Sequence, residues 1–295
     1  MIHIESLSHT YARKTHALRE ITCTLSPNSV TGLIGPNGCG KSTLMEVLTG
    51  FLPIQEGRIT YNGQELTSAE LTALTALGNS GREFTLAHMK DLLGYARCRP
   101  TWNEKLFTHY LKRFDITVSR KALGKVSSGQ SAIFSGALAL ASGAPLTLLD
   151  EVQATLDVPH RYAFYEEIMQ LNADIIEGKH PERKFLISSH MVSELENLTN
   201  NIIIMRNGHI LTEESTEDLQ HRTLVLTGSI QAVTDLLAHH PDIHVLSERT
   251  LGPTQEITID LRTCDLTPVI AESFGLLARY ASLQDTFLSL IHKDA

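Results

Sequence analysis

Residues 35–43 read GPNGCGKST, and this nonapeptide narrows the possible folds more than any other stretch of the 295-residue chain. It matches G-x-x-x-x-G-K-[ST]. A short apolar strand, SVTGLIG (29–35), runs into it. Out of it comes KSTLMEVLTGFL (41–52), which puts Leu44, Val47, Leu48 and Phe51 on one helical face. Gly50 and Pro53 close that helix. The spacing has a chemical reason. Glycines let backbone N–H groups turn inward around a chain of phosphates, and the helix N-terminus behind them adds positive potential. Lys41 would then reach the β and γ phosphates, and the Ser42 hydroxyl would ligate Mg²⁺. The bland alternative is a glycine-rich turn with an incidental lysine. The strand before and the helix after argue against it.

Two further strands carry acids and a histidine to the same kind of position. PLTLLDE (145–151) is wholly apolar until Asp150 and Glu151. Asp150 would meet the magnesium, directly or through water, and Glu151 would polarise the attacking water. KFLISSH (184–190) ends in His190, at the edge where α/β sheets bind ligands, where it can donate to a γ-phosphate oxygen. There are fourteen histidines, most of them expected at the surface or in the core. Ile2, Ile4 and Leu7 mark an opening strand. EGRITYNGQEL (56–66) and NIIIMRNGHIL (201–211) each read as strand, Asn-Gly turn, strand. Residues 80 to 140 are mostly helical in pattern, with a buried face at Ile133, Phe134, Ala137, Leu138 and Ala141.

Apolar strands alternating with helices predict an α/β core with a mostly parallel sheet and an antiparallel portion near the N-terminus. After TEESTEDLQHR (212–222) the pattern changes. LVLTG, IHVL and EITIDL read as short strands, with helical stretches at 229–239 and 267–292. The expected organisation is a nucleotide-binding domain over 1–215, with a helical subdomain at about 80–140, and a small α+β appendage over 223–295.

With 42% hydrophobic and 20% charged residues, the composition fits a globular protein. A net charge of −8 argues against nucleic acid or anionic lipid as the main partner, since both need a basic surface. Cys23, Cys39, Cys98 and Cys264 form no C-x-x-C pair and read as reduced thiols. MIHIESLSHT lacks the pattern of a signal peptide, and no apolar run approaches eighteen residues. The expected location is cytoplasmic, with any membrane role exercised through a partner.

VSSGQ (126–130) and ATLD (154–157) complete a set. GPNGCGKST, VSSGQ, LTLLDE, ATLD and LISSH, in this order, resemble an ATP-binding cassette (ABC) ATPase over residues 1 to about 215. The resemblance implies a P-loop NTPase core that takes ATP and Mg²⁺. Gly35, Pro36, Asn37, Gly38, Cys39, Gly40, Lys41, Ser42 and Thr43 would form the phosphate loop, and Ser42 and Asp150 the metal site. Glu151, His190 and Lys41 would be catalytic. VSSGQ would be the family signature, which closes over ATP held by the phosphate loop of a second cassette. Ser127 and the Gly129 backbone would touch the γ-phosphate, and Gln130 ends the motif. A Ser-x-Gly at a helix start is a sound anion site on physical grounds, and equally an ordinary helix cap. Tyr11 resembles the aromatic that stacks on adenine, or packs locally at a strand end. Asp157 would lie at the dimer interface. The implied partners are a transmembrane permease subunit and a second cassette, either another copy or a paralogue. The implied place is the inner face of the membrane.

The departures from the family pattern are specific. Val126 stands for leucine, Ser128 for glycine and Val152 for the proline that follows the catalytic glutamate. SAIFSGALALAS lacks an arginine. No glutamine occurs where the family carries one near the metal and water. LGNSGREF (77–84) occupies that place, with Asn79 or Glu83 as stand-ins. A finer resemblance points to bacterial exporters whose membrane subunit is a separate chain. It rests on RPTWNEKLF (99–107), where Trp102 is otherwise a core aromatic, and on SLQDTFLSL (282–290). Two alternatives stand beside the transport ATPase. One is an ATP-gated, low-turnover cassette paired with a more active sister. The other is a non-transport ABC protein acting on DNA or ribosomes, opposed by the single cassette, the lack of heptads and the acidic balance.

Overall fold

The computed structural model of the chain describes residues 1–12, 15–79 and 86–292. Glu83 therefore lies outside the described residues. The chain divides into two compact units, one made of Met1–His190 with Leu198–Glu213, the other of Met191–Asn197 with Glu214 onward.

The first unit opens with β1 (Ile2–Tyr11) and β2 (Thr15–Leu25). β3 (Ser29–Ile34) leads through the glycine loop into α1 (Lys41–Leu48). A hairpin of β4 (Glu56–Tyr61) and β5 (Gln64–Glu65) precedes α2 (Ser68–Leu74) and β6 (Thr75–Asn79). Three helices follow, α3 (Met89–Ala96), α4 (Glu104–Arg113) and α5 (Ser128–Ala141). Then come β7 (Leu146–Asp150), α6 (Val158–Ile176) and β8 (Lys184–Ser189). α7 (Val192–Leu195) belongs to the second unit, and β9 (Asn201–Arg206) and β10 (His209–Ser215) close the first.

Two sheets result. The smaller, ordered β2-β1-β4-β5, is antiparallel. The larger is ordered β10-β9-β3-β8-β7-β6, and β9, β3, β8, β7 and β6 run parallel. Every residue of β3 and β8 is buried, as expected of parallel strands covered on both faces. One core joins the sheets and α1, with Ile2, Ile4 and Leu7 packed with Leu44, Leu48, Leu148 and Leu186.

Local chemistry fixes the helix starts. Thr67 and Glu70 form a reciprocal capping box on α2. Asn103, Ser127 and Asp157 cap α4, α5 and α6 through their side chains. The far end of α5 has a different device. Arg183 is buried, and its guanidinium donates to the carbonyls of Leu140 at 2.8 Å and Ala144 at 3.1 Å and to Thr147 Oγ1 at 2.7 Å. Burial lowers this guanidinium to about 10. It places a cation against the last turn of the helix that begins in VSSGQ.

The second unit holds α8 (Thr216–His221), β11 (Thr223–Ser229), α9 (Ile230–His239), β12 (His244–Leu251), β13 (Thr254–Asp260), α10 (Pro268–Ser273), β14 (Leu277–Tyr280) and α11 (Leu283–His292). Its sheet, β12-β13-β11-β14, is antiparallel throughout. From β11 to β14 the order is βαββαβ, the split βαβ arrangement. Leu224, Leu226, Val233, Leu236, Ile257 and Ile259 form its core.

The structure departs from the sequence reading at particular places. The helical stretch expected over 267–292 is broken in two. Gly275 takes φ +77°, α10 ends, and β14 pairs with β11 before α11 begins. β2 is hidden in the sequence because Glu20 takes φ +51° and the register with β1 shifts between Leu18 and Ile21, which breaks the two-residue alternation. α2, β6 and α6 are further elements that the pattern does not announce, although Thr67/Glu70 and Asp157 are legible helix caps.

Candidate functional site

Parallel pairing brings four chain segments to one sheet edge. Ile34, the last residue before the glycine loop, sits in register with Ser189, and Asp150 with Ser188 on one side and Asn79 on the other. The exits of β3, β8, β7 and β6 therefore lie side by side at the carboxyl edge. A cavity of about 620 Å³ opens there, lined by Tyr11, Lys41, Ser42, Asn79, Asp150 and Glu151 among others.

The glycine loop is shaped as a cradle. Gly38 and Gly40 take φ +78° and +111°. A Cβ on Gly40 would lie 2.5 Å from the Ala17 carbonyl, so no other residue fits there unstrained. Lys41 is buried, and its ammonium donates to the carbonyls of Gly35 at 2.7 Å and Pro36 at 3.1 Å. Those bonds hold the cation inside the loop, available to a phosphate chain. Asn37, Gly38, Gly40, Ser42 and Thr43 also line the cavity. Gly35, Pro36 and Cys39 do not. The Cys39 side chain is packed into the core, and burial raises its thiol, so only its backbone can serve a phosphate. The donor set fits the implied groups. The loop offers N–H groups and a cation to an anion, and Ser42 and Asp150 offer the hard oxygens that Mg²⁺ takes.

The acids are held from behind. Ser188, fully buried, donates its hydroxyl to Asp150 Oδ1 and accepts the Glu151 N–H at 3.1 Å. Glu151 itself takes φ +50° and ψ 29°, a left-handed conformation uncommon outside glycine. His190 Nδ1 lies 3.5 Å from Glu151 Oε1, with both side chains partly exposed. Carboxylate and imidazole thus share one small volume next to the cavity.

Tyr11 lies at the cavity wall. Its hydroxyl bonds with Thr43 Oγ1 at 3.2 Å and Glu46 Oε2 at 3.3 Å, and its ring meets His9 edge-on. The residue is 40% exposed, which leaves area for a second ring to stack on. Asn79 is buried at the end of β6 and its N–H donates to Ser135 Oγ on α5 at 3.1 Å. It stands beside Asp150, where the family pattern carries a glutamine. Trp102 packs on Phe107, ring centroids 5.1 Å apart, and donates to Glu104 at 2.7 Å, which is ordinary aromatic packing.

VSSGQ lies elsewhere. Ser127 caps α5 by accepting the Gln130 N–H at 3.2 Å, and neither residue lines the cavity. Gly129 is likewise absent from it. Thr155 Oγ1 donates to the Ser128 carbonyl at 3.4 Å, which ties ATLD to the start of α5. Within one chain, then, Ser127, Gly129 and Gln130 are not brought to the phosphate loop. Ser188 is not among the residues expected at the site, and its only trace in the sequence is the doubled serine of LISSH.

The family model described as ABC transporter matches residues 18–154. The zinc uptake system ATP-binding protein ZurA of Listeria innocua is 28% identical over 234 residues, covering 75% of this chain and 88% of that one. The manganese transport system ATP-binding protein MntA of Synechocystis sp. is 30% identical over 230 residues, covering 74% of this chain and 85% of that one. The chain belongs to the ABC transporter family. A solved structure described as the ATP binding subunit of an ABC transporter shares the fold, with a TM-score of 0.62 at 20% identity over 75% of this chain and 92% of that one. The protein is an ABC ATPase subunit, a cassette that uses ATP and Mg²⁺ and pairs with a second cassette and a membrane permease. No helix among the described residues is long and apolar enough to cross a membrane. Both relatives are named for metal ions, and ZurA for uptake. They lend no support to the expectation of an exporter.

Proposed function

We propose that two cassettes close on Mg-ATP, each cavity covered by the VSSGQ segment of the other, and that hydrolysis reopens them to drive a separate membrane subunit. The observation that carries this is the convergence of Lys41, Asp150 and Glu151 on one cavity while VSSGQ stays outside it. Lys41 binds the phosphate oxygens. Ser42 and Asp150 would hold Mg²⁺, whose charge offsets that of the β and γ phosphates. Glu151 orients water and takes its proton, and His190, 3.5 Å away, binds the γ-phosphate. Asn79 takes the place of the missing glutamine. Ser127 and Gly129 offer the N-terminus of α5 to the partner's nucleotide. Tyr11 stacks on adenine. Tyr11→Ala is expected to raise the ATP Kd about tenfold while tripolyphosphate binds as before, since stacking contributes about 1–3 kcal/mol per base. Calorimetric titration with both ligands reads this. Equal losses for both would remove Tyr11 from the base site.

The direction we favour is export, on residues 99–107 and the tail at 282–290. Uptake of a divalent metal ion is the second reading and rests on the names of ZurA and MntA. Inside-out membrane vesicles carrying the complete transporter separate the two. ATP-driven filling with an antimicrobial peptide supports export. ATP-dependent metal accumulation by intact cells, lost on deletion of this chain, supports uptake and ends the export reading.

A further inference from the structure

The turn that carries Asp150 and Glu151 is anchored by two buried residues that no part of the reaction scheme uses. Ser188 is completely buried and Gln153 is 1% exposed. Ser188 sits on β8 directly opposite Asp150 in the parallel ladder. Its single side chain serves both acids. The hydroxyl hydrogen goes to Asp150 Oδ1, and the hydroxyl oxygen accepts the Glu151 N–H at 3.1 Å. Gln153, two residues past Glu151, returns to the same place and donates Nε2–H to the Ser188 carbonyl at 2.8 Å. Three bonds therefore tie the segment 150–153 to one residue of the neighbouring strand.

What they hold is an unfavourable conformation. Glu151 is left-handed, and a glutamate reaches that region only when its surroundings impose it. The residue after it is Val152, whose φ is not fixed by a ring as a proline's would be. The turn thus lacks the rigidity that proline supplies and needs another source. Ser188 and Gln153 provide hydrogen bonds in a dry setting, where each is strong and each loss leaves a buried polar group unmatched.

We infer that Ser188 and Gln153 are positioning residues, a buried clamp that sets the backbone of Glu151 and the aim of the Asp150 carboxylate for hydrolysis. This rests on the reading of Asp150 and Glu151 given above. Ser188 engages Oδ1 of Asp150, which pins one of the two carboxylate oxygens. Gln153 acts through Ser188 and touches no reacting atom.

The test uses the whole chain with Ser188→Ala and, separately, Gln153→Met, which keeps length and apolar bulk but removes the donor. Hydrogen–deuterium exchange on nucleotide-free protein is read on peptides covering residues 148–156. The expected result in Ser188→Ala is exchange at least about tenfold faster in this segment, with β3 and β9 unchanged, because the Glu151 amide has lost its acceptor. In steady-state assays of both variants, kcat falls about tenfold while the KM for ATP stays within about twofold, the mark of an effect on the transition state rather than on binding. Unchanged exchange in Ser188→Ala would overturn the clamp. So would a loss carried by KM alone in either variant, or wild-type kcat in Gln153→Met. Failure of the underlying reading has a separate signature, namely a wild-type chain that binds ATP without hydrolysing it while the exchange result still holds.

Discussion

Glu151→Gln is expected to lower ATP hydrolysis by about 10²-fold or more, with nucleotide affinity changed by no more than about twofold. The substitution keeps the shape and hydrogen-bonding reach of the side chain and removes its basicity. The backbone at 151 is held by Ser188 and not by the carboxylate, so the turn has no reason to move. The neighbouring imidazole of His190, 3.5 Å from Glu151 Oε1, loses an anionic partner but keeps an acceptor in the amide oxygen. The expected defect is therefore chemical and not structural. Phosphate release under saturating Mg-ATP reads the rate, and fluorescence titration with a labelled nucleotide reads the affinity. A variant hydrolysing at more than a tenth of the wild-type rate would transfer the role of base to another group.

Lys41→Ala should show the largest loss of nucleotide. The ammonium is nearly fully buried and makes two bonds to loop carbonyls, and in the bound state it would exchange these for phosphate oxygens. Charged hydrogen bonds of this kind contribute about 1.5–3 kcal/mol, which corresponds to an ATP Kd raised roughly 10- to 100-fold. Hydrolysis should fall further than affinity, because negative charge on the transferred group grows toward the transition state. The loop also loses an internal fastener, since the Gly35 and Pro36 carbonyls give up the ammonium as their donor. Thermal unfolding separates the effects. Wild-type protein should melt higher with Mg-ATP, as any ligand of the native state alone requires. Lys41→Ala should gain less from the same Mg-ATP, by about the 1.5–3 kcal/mol lost in affinity. A variant still stabilised by ATP to the wild-type extent would remove Lys41 from the phosphate site.

The features legible in the sequence were those whose chemistry is local. The apolar parallel strands and the antiparallel N-terminal portion follow from apolar runs and Asn-Gly turns, and the glycine loop from its own spacing. Asp150 and Glu151 are a weak signal by themselves, since apolar strands often end in acids, and they point to a metal and a water only beside the glycine loop. The features that could not be read depend on neighbours distant in sequence. β14 looks helical until β11, some fifty residues earlier, offers it a ladder. β2 loses its alternation to a bulge at Glu20 that takes shape only in pairing with β1. Ser188 is one serine among many until the register sets it against Asp150. Asn79 could be proposed from position alone, but its place beside Asp150 is a consequence of β6–β7 pairing. VSSGQ is the reverse case, plain in sequence but away from the cavity in one chain, as the proposed closure of two cassettes requires.

Whether two such cassettes close on ATP is read from light scattering of Glu151→Gln with and without Mg-ATP. With hydrolysis blocked, bound ATP is retained and the closed pair accumulates. A monomer of 32.6 kDa is expected without nucleotide and a doubled mass with Mg-ATP, lost again when Ser127→Arg is added to block the start of α5. A mass that stays at that of one chain, with ATP bound to every copy, would contradict closure of this VSSGQ over this phosphate loop.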